Sequence, residues 1–524
     1  MPYVTPNSTV KLISSMRFDR TYKNVIYFGS HNEQYTYFNT YARLTFNNLS
    51  YVRDNVIRVE AQPSQVYECN YMMFQNSSFG EKWFYAFITD YRYINNNCVE
   101  LTYDIDVMQT WFFDCELLNC FVEREHSTTD NVGDNLQPEP IEIGEYVCTF
   151  TNKAGVSNNP CVVLAASSSI LEGQPSGMMS GVYQGVFYYI TNGVSDSAVA
   201  ELTNLLNQIV TNNQIDSVVG IFMASKDYFT ESQYSTTYNA GGRPAYLGGN
   251  YIPRNKKLFT YPYTYLLVNN ASGANAAYKF EFFRDSTGNI TDAQFRLNGS
   301  VSCNPTVTMQ PQNYKNETNG INEMLVIDDF PQCSYAVDSY KAWLAQNVGK
   351  YGMQLFANIL TGAWQNLNYS SVANYDQGAD LSRELAYNNQ MQNITNVATN
   401  AAYQAVNSYT EASRALPVQG CASGSAMFAI GALDFWFYKM VLSEEYAKKA
   451  DEYLDMYGYA TNEVKTPNIS NRPHWNYVKT RDCNLIAHCP ESAANKIRSI
   501  FNNGVTFWRR GNEIGNYSLD NSPE

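Results

Sequence analysis

The chain has 524 residues, a formal net charge of −14 and a charged share of only 16 %. That length calls for roughly two to four folded units, and so low a charge content excludes long disordered charged tails. With 35 Lys and Arg against 49 Asp and Glu, the cations are too few to neutralise a long phosphate backbone, which excludes a nucleic-acid-gripping groove.

Tyrosine is abundant, 42 residues against 7 Trp. Its ring packs while its hydroxyl hydrogen-bonds, and it favours strands. The composition therefore suits a β-rich protein with large half-wet surfaces, such as an adhesin, a surface-layer protein or a virion protein.

The first 150 residues read as strands, with candidates at Asn24–Gly29, Tyr35–Phe46 and Val56–Ala61. Trp83–Tyr93 and Cys98–Phe112 flank the turn Asn95-Asn96-Asn97 and predict a hairpin. Thr128–Glu145, which holds Pro138 and Pro140, reads as a loop or extended arm. Cys161–Ala166, Gly185–Thr191 and Ser217–Ala224 are candidate strands around a helix that starts near Asp196, with Val199, Leu202, Leu206 and Ile209 on one face. Leu258–Asn269 and Ala277–Arg284 are further strands, and the turn Asp285–Asn289 predicts that Ala293–Leu297 pairs back across it.

From Asp338 the pattern turns helical, with Tyr340, Trp343, Leu344, Val348 and Tyr351 on one face. Gly352–Trp364 is apolar, Gln365–Leu416 is polar, and Gly420–Val441 is the most apolar stretch of the chain. It runs into an amphipathic helix carrying Tyr446, Ala450, Tyr453 and Tyr457, with Gly458 as its stop. A last helix opens at Pro490, buries Ala493, Ile497, Ile500 and Phe501, and ends at Gly504. The resulting domain expectation is 1–150, a β domain; 151–337, inserted α+β and β domains; 338–440, a helix and long hydrophobic segment; and 441–524, a C-terminal helical segment. The fold class is mainly β with α segments, in several domains.

Signals of chemistry are sparse. There is no zinc-protease His-Glu-x-x-His, no nucleophile elbow and no Walker loop. Asp104 and Asp106 share one face of a predicted strand and read as a solvent face or an ion pair. Arg124 and His126, in Val122-Glu123-Arg124-Glu125-His126, read as a strand end with alternating charges, His126 serving as a contact residue or a catalyst. The 11 cysteines lack any Cys-x-x-Cys. Cys115 and Cys120 lie close in sequence, and Cys483 and Cys489 flank His488, but these spacings fit zinc poorly. The cysteines read as reduced, small core residues of a chain made in a reducing cytoplasm. The N-terminus, Met1-Pro2-Tyr3-Val4-Thr5, lacks the basic and apolar regions of a signal peptide. No cofactor, metal or catalytic residue is expected.

Three stretches carry a family resemblance. The first runs from Tyr103-Asp104-Ile105-Asp106-Val107-Met108-Gln109-Thr110-Trp111 through Phe121–His126 to Asp134–Tyr146. The second is Asp338–Asn347, and the third comprises Tyr457-Gly458-Tyr459, Arg472, Trp475–Thr480 and Ile500–Trp508. Together they resemble the tail-knob, or distal tail-tube, proteins of small short-tailed, terminal-protein-primed podoviruses of the Picovirinae type. The resemblance implies a virion structural protein without enzymatic activity, assembled in the host bacterial cytoplasm as a homohexamer at the distal end of the tail. It implies a tube through which phage DNA passes without sequence-specific binding. Its implied partners are a proximal tail-tube or lower-collar protein, a tail-tip cell-wall-degrading protein and, during ejection, the host cytoplasmic membrane. A receptor-binding or glycan-degrading tail protein is the alternative.

By position, the segment of about Gly349 to Leu433 corresponds to the hydrophobic loops that plug the tube and open the membrane. Met353, Leu355, Phe356, Ile359, Leu360, Trp364, Met427, Phe428, Ile430 and Leu433 are its candidate plug or membrane-active residues. Such a set of apolar side chains is costly to leave in water. Asp434 and Lys439 interrupt the run, which argues against a single spanning helix. The acidic balance fits a lumen that repels phosphate.

Overall fold

The computed structural model describes residues 7–49, 55–76, 80, 82–157, 159–167, 187–192, 208–209, 212, 214, 217–229, 234–300, 305–328, 330, 332–333 and 433–523. The predicted helix between Asp196 and Ile209, apart from its last residues, lies outside them. So do the helical pattern after Asp338, the second resemblance stretch, and Met353, Leu355, Phe356, Ile359, Leu360, Trp364, Met427, Phe428 and Ile430. The chain folds as two units that interleave in sequence. One comprises 1–142, 253–258 and 447–524; the other comprises 143–252 and 259–446.

The first unit holds a six-stranded sheet in the order Ala42–Leu49, Ser8–Ser14, Cys69–Asn76, Trp83–Asn95, Cys98–Ile105, Val56–Val59. The predicted hairpin lies inside the sheet, where Trp83–Asn95 pairs antiparallel with Cys98–Ile105. The second strand stops earlier than its apolar run suggests. Asp106 accepts the N–H groups of Met108 and Gln109 at 3.0 and 3.1 Å, and so caps a short helix, Val107–Trp111. Asp106 is thus buried, 1 % exposed, while Asp104 stays at the surface in an ion pair with Lys496.

One expectation fails here. Tyr35–Phe46 is not a strand: His31–Thr40 is a helix, and a strand begins only at Ala42. Ser30 accepts the Glu33 N–H, and the Glu33 carboxylate reaches back to the N–H of Gly29 at 2.9 Å. This reciprocal cap outweighs the strand preference of the aromatic residues.

A second sheet of this unit is assembled from distant parts of the chain, in the order Asn24–Ile26, Val505–Trp508, Trp475–Arg481, Cys120–Glu125, Tyr459–Lys465. The pair Asn24–Ile26 with Val505–Trp508 is parallel. The helix Glu491–Asn503 presents Ala493, Ile497, Ile500 and Phe501 to the core, as its periodicity predicts, and Gly504 ends it at φ 88°.

Among the described residues, the second unit is built on three antiparallel sheets. In one, Asp434–Leu442 lies between Tyr146–Gly155 and Thr264–Asn269, with Asn275–Tyr278 beyond. Thr264–Asn269 is buried at every position, which explains why Tyr265–Val268 is apolar on both faces. Another sheet orders Phe187–Ile190, Pro160–Ala166, Val218–Ser225 and Gln332–Cys333. The third contains Tyr234–Asn239, Gln294–Ser300 and Thr306–Tyr314. There the predicted local pairing is corrected: no ladder joins Ala277–Arg284 to Ala293–Leu297, and the turn is crossed by the isolated bridge Arg284 to Ile290. Gln294–Ser300 pairs instead with Tyr234–Asn239 and Thr306–Tyr314. Asp285 satisfies its own turn, accepting the N–H groups of Thr287 and Asn289, so the turn needs no flanking ladder to hold it.

Candidate functional site

Strand Cys120–Glu125 ends in three consecutive buried polar residues: Arg124, Glu125 and His126 are 8, 2 and 4 % exposed. The sequence predicts a strand end with alternating charges; their burial forces each group to find a partner inside.

Arg124 forms an ion pair with Glu139 of the polar arm, donates to the carbonyl of Gly458 at 2.6 Å and lies over the Tyr453 ring. Glu139, its carboxylate fully enclosed, also accepts from Lys257 at 2.5 Å and from the N–H of Ala460 at 2.9 Å. One carboxylate thus faces two buried cations. Burial and the nearby Arg124 charge lower the Lys257 ammonium to about 7, whereas arginine does not give up its proton.

His126 is held at both ring nitrogens. Its Nδ1 accepts the backbone N–H of Tyr477 at 2.8 Å. Nε2 must therefore carry the proton, and it donates to the Asp455 carbonyl at 3.0 Å. Burial, followed by the Arg472 charge, lowers the imidazole to about 3. This is a neutral, structural histidine with no nitrogen left for proton transfer.

Asp451 and Asp455 stand one turn apart on the helix Glu444–Tyr457. Asp451 accepts the N–H groups of Arg254 and Asn255 at 2.8 and 3.0 Å. Asp455 accepts from the Asn255 side chain at 2.7 Å and pairs with Arg254. Burial, then the neighbouring Asp451, raises Asp455 to about 6. A raised carboxylate beside a second acid and a histidine is the pattern expected of acid–base chemistry. The crevice next to it, lined in part by His126, Asp130, Asp455 and Arg472, measures only about 10 Å³, space for a single water. The two carboxylates are occupied in gripping the 253–258 segment.

The remaining contacts close the junction. Tyr459 donates to Asp130 at 2.5 Å, and Asp130 also accepts the N–H of Lys256. Arg472 donates to the carbonyls of Ser127 and Asn521 at 2.6 and 3.1 Å, and Trp475 Nε1 to that of Asp455 at 2.8 Å. The first and third resemblance stretches therefore meet in one buried polar network. Arg124 and His126 were singled out in the sequence; Glu139, Lys257, Asp451 and Asp455 were not. Nothing in the local sequence of Glu139, between Pro138 and Pro140 in a polar arm, marks it as buried.

Of the candidate plug residues, Leu433 alone is described. It is 1 % exposed in the core of the second unit, and its carbonyl accepts the N–H of Val156 at 3.4 Å. Asp434 pairs with Lys153 at 2.7 Å, and Lys439 donates to the Gly242 carbonyl at 2.8 Å, so the two charges that interrupt the apolar run both have partners. Among the described residues, no helix is long and apolar enough to cross a membrane, and no group of three or more His, Cys, Asp or Glu could hold a metal ion.

Comparison with known proteins places these features in a family. The family described as Bacillus phage phi29, tail knob protein gp9, C-terminal domain, matches residues 225–522, and the family described as caudoviral major tail protein N-terminus matches residues 6–116. Tail knob protein gp9 of Bacillus phage phi29 is 24 % identical, in an alignment covering 99 % of this chain and 100 % of that protein. The tail knob protein gp9 of Bacillus phage B103 is 23 % identical with the same coverage. The solved structure of the bacteriophage C1 tail knob protein, gp12, superposes with a TM-score of 0.53 at 14 % identity, covering 98 % of this chain and 99 % of that one. That likeness shows a shared fold.

Proposed function

This chain belongs to the tail knob family of phi29 gp9, and on that premise we propose that it forms the distal tail tube of a short-tailed phage, as a homohexamer in the virion. It acts as a structural conduit for genome ejection, and no catalytic role is assigned to it. The observation that carries this reading is the match over the full length of both this chain and its gp9 relatives.

The physical character of the chain supports it. A net charge of −14 per copy, multiplied in a ring, favours a lumen from which phosphates are repelled rather than retained. The upper end of the tube meets a proximal tail-tube or lower-collar protein, and the tip meets a cell-wall-degrading protein. Residues 349–433 plug the tube and, once released, penetrate the host cytoplasmic membrane. On this reading Met353, Leu355, Phe356, Ile359, Leu360, Trp364, Met427, Phe428 and Ile430 enter the bilayer, and buried Leu433 is the segment's anchored end.

Dye release from anionic liposomes tests it, using the full chain and a variant lacking residues 349–430, which keeps Leu433 in place. Light scattering on the same samples is expected to report hexamers for both, with leakage from the full chain alone. Leakage from both proteins, or from neither, removes the membrane role. A monomer at micromolar concentration removes the tube.

A further inference from the structure

We propose that Cys115 and Cys489 form a closable thiol pair, which a small-molecule disulfide converts to a cystine tying the N-terminal part of the first unit to its C-terminal part. This does not depend on the tail knob reading.

The geometry comes from a two-stranded ladder, Cys115–Leu117 with Leu485–Ala487. Its register sets Ala487 opposite Cys115. The ladder continues one step further, where the N–H of His488 reaches the Asp114 carbonyl at 2.9 Å. Cys489 is therefore two residues beyond the partner of Cys115. Two residues along a strand return to the same face, which sets Cys489 diagonal to Cys115. The two thiols do lie within reach of a side-chain hydrogen bond. Cys489 stands past the last paired residue, and its Sγ donates to the Pro490 carbonyl at 3.6 Å, a contact that closure gives up.

At the opposite end of the ladder the N–H of Leu118 reaches the Asn484 carbonyl at 2.9 Å. There Cys120 and Cys483 also face each other. These four cysteines, whose spacing fits zinc poorly, thus come together as two pairs. Two sulfurs do not make a zinc site; the chemistry open to two facing thiols is disulfide exchange.

The two pairs differ in access. Cys120 and Cys483 are 6 and 5 % exposed, whereas Cys115 and Cys489 are half-buried. Cys489 is the entry point. Its thiolate attacks one sulfur of the small disulfide, forming a mixed disulfide and expelling one thiolate, which takes up a proton. Cys115 then loses its proton to water, its sulfur attacks the Cys489 sulfur, and the second small thiolate leaves. In sum, two protein thiols are oxidised to one disulfide and one small disulfide is reduced to two thiols. Burial pushes the Cys115 thiol up to about 12, so little thiolate is present at neutral pH and the second step is slow. Once closed, the cystine restrains the unfolded chain across most of its length.

The test uses the full chain, purified reduced and equilibrated with excess oxidised glutathione. It is then denatured with an alkylating reagent present, digested without reduction and read by mass spectrometry. The expected result is a linked peptide pair joining Cys115 to Cys489. The oxidised protein melts several degrees above the reduced one. Cys489→Ser abolishes both the link and the shift, and Cys120→Ser preserves them. Recovery of Cys489 only as its glutathione adduct, or of both cysteines alkylated, overturns the proposal.

Discussion

His126 Nδ1 accepts the backbone N–H of Tyr477 at 2.8 Å, which pins a neutral imidazole between the N-terminal strand Cys120–Glu125 and the C-terminal strand Trp475–Arg481. The unfolded chain protonates this ring below about 6.5 and the folded chain only below about 3. Between those values unfolding takes up a proton, so His126 lowers stability as pH falls.

Asp106 and Asp455 act in the opposite sense. Burial raises both to about 6 in the folded chain, against about 3.9 when unfolded. Their contribution is fully present below about 4 and is lost as pH rises through 6. His126→Asn is therefore expected to change the profile of denaturant unfolding: between pH 4 and 6, stability falls with rising pH more steeply than in the wild type. Superimposable profiles would show that His126 titrates normally.

Gly458 ends its helix at φ 64°, with the chain pressed onto Glu125. A Cβ there would sit 2.3 Å from the Glu125 carbonyl oxygen, a backbone atom that cannot swing away. Gly458→Ala combines a left-handed backbone with that clash, and a loss of about 3 kcal/mol or more is expected. Urea unfolding followed by Trp fluorescence measures it; a loss under about 1 kcal/mol would contradict the packing described.

Glu139→Gln leaves Arg124 and Lys257 buried without their shared carboxylate. Breaking a buried charge cluster on one side costs about 3–5 kcal/mol. Lys257→Met removes one of the two cations instead, leaves Glu139 with Arg124, and is expected to cost clearly less. Equal losses in the two variants would mean that the carboxylate is not the centre of the cluster.

Asp106 accepts two helix N–H groups and, at 2.8 Å, the Tyr71 hydroxyl. Asp106→Ala strips all three and should cost about 2–4 kcal/mol. Asp106→Asn keeps an acceptor for the cap and should cost less than half as much. Melting temperatures in the two variants order the effects, and the reverse order would rule out the capping role.

Elements whose signals are local could be read in advance. The hairpin Trp83–Asn95 with Cys98–Ile105 carries strand residues around an Asn-rich turn, and the helix Glu491–Asn503 carries Pro490, Gly504 and a clear apolar face. The helix His31–Thr40 was also legible, through Ser30-x-x-Glu33, but its tyrosines and phenylalanine argued for a strand. The partner of Gln294–Ser300 was not legible, because several strands of suitable pattern compete and packing makes the choice.

The amino-acid sequence by itself determined the β-rich class, the acidic balance, the stretches that carry the family resemblance and the helices with a clear apolar face. These depend on neighbours within a few positions or on composition. Only the tertiary structure decided that Arg124, Glu139, Lys257 and Asp455 share one buried network, that His126 is neutral, and that Cys115 meets Cys489. Those outcomes depend on which distant segments bury one another. Burial, by removing water as the alternative partner, sets both the pairing and the charge state of each group.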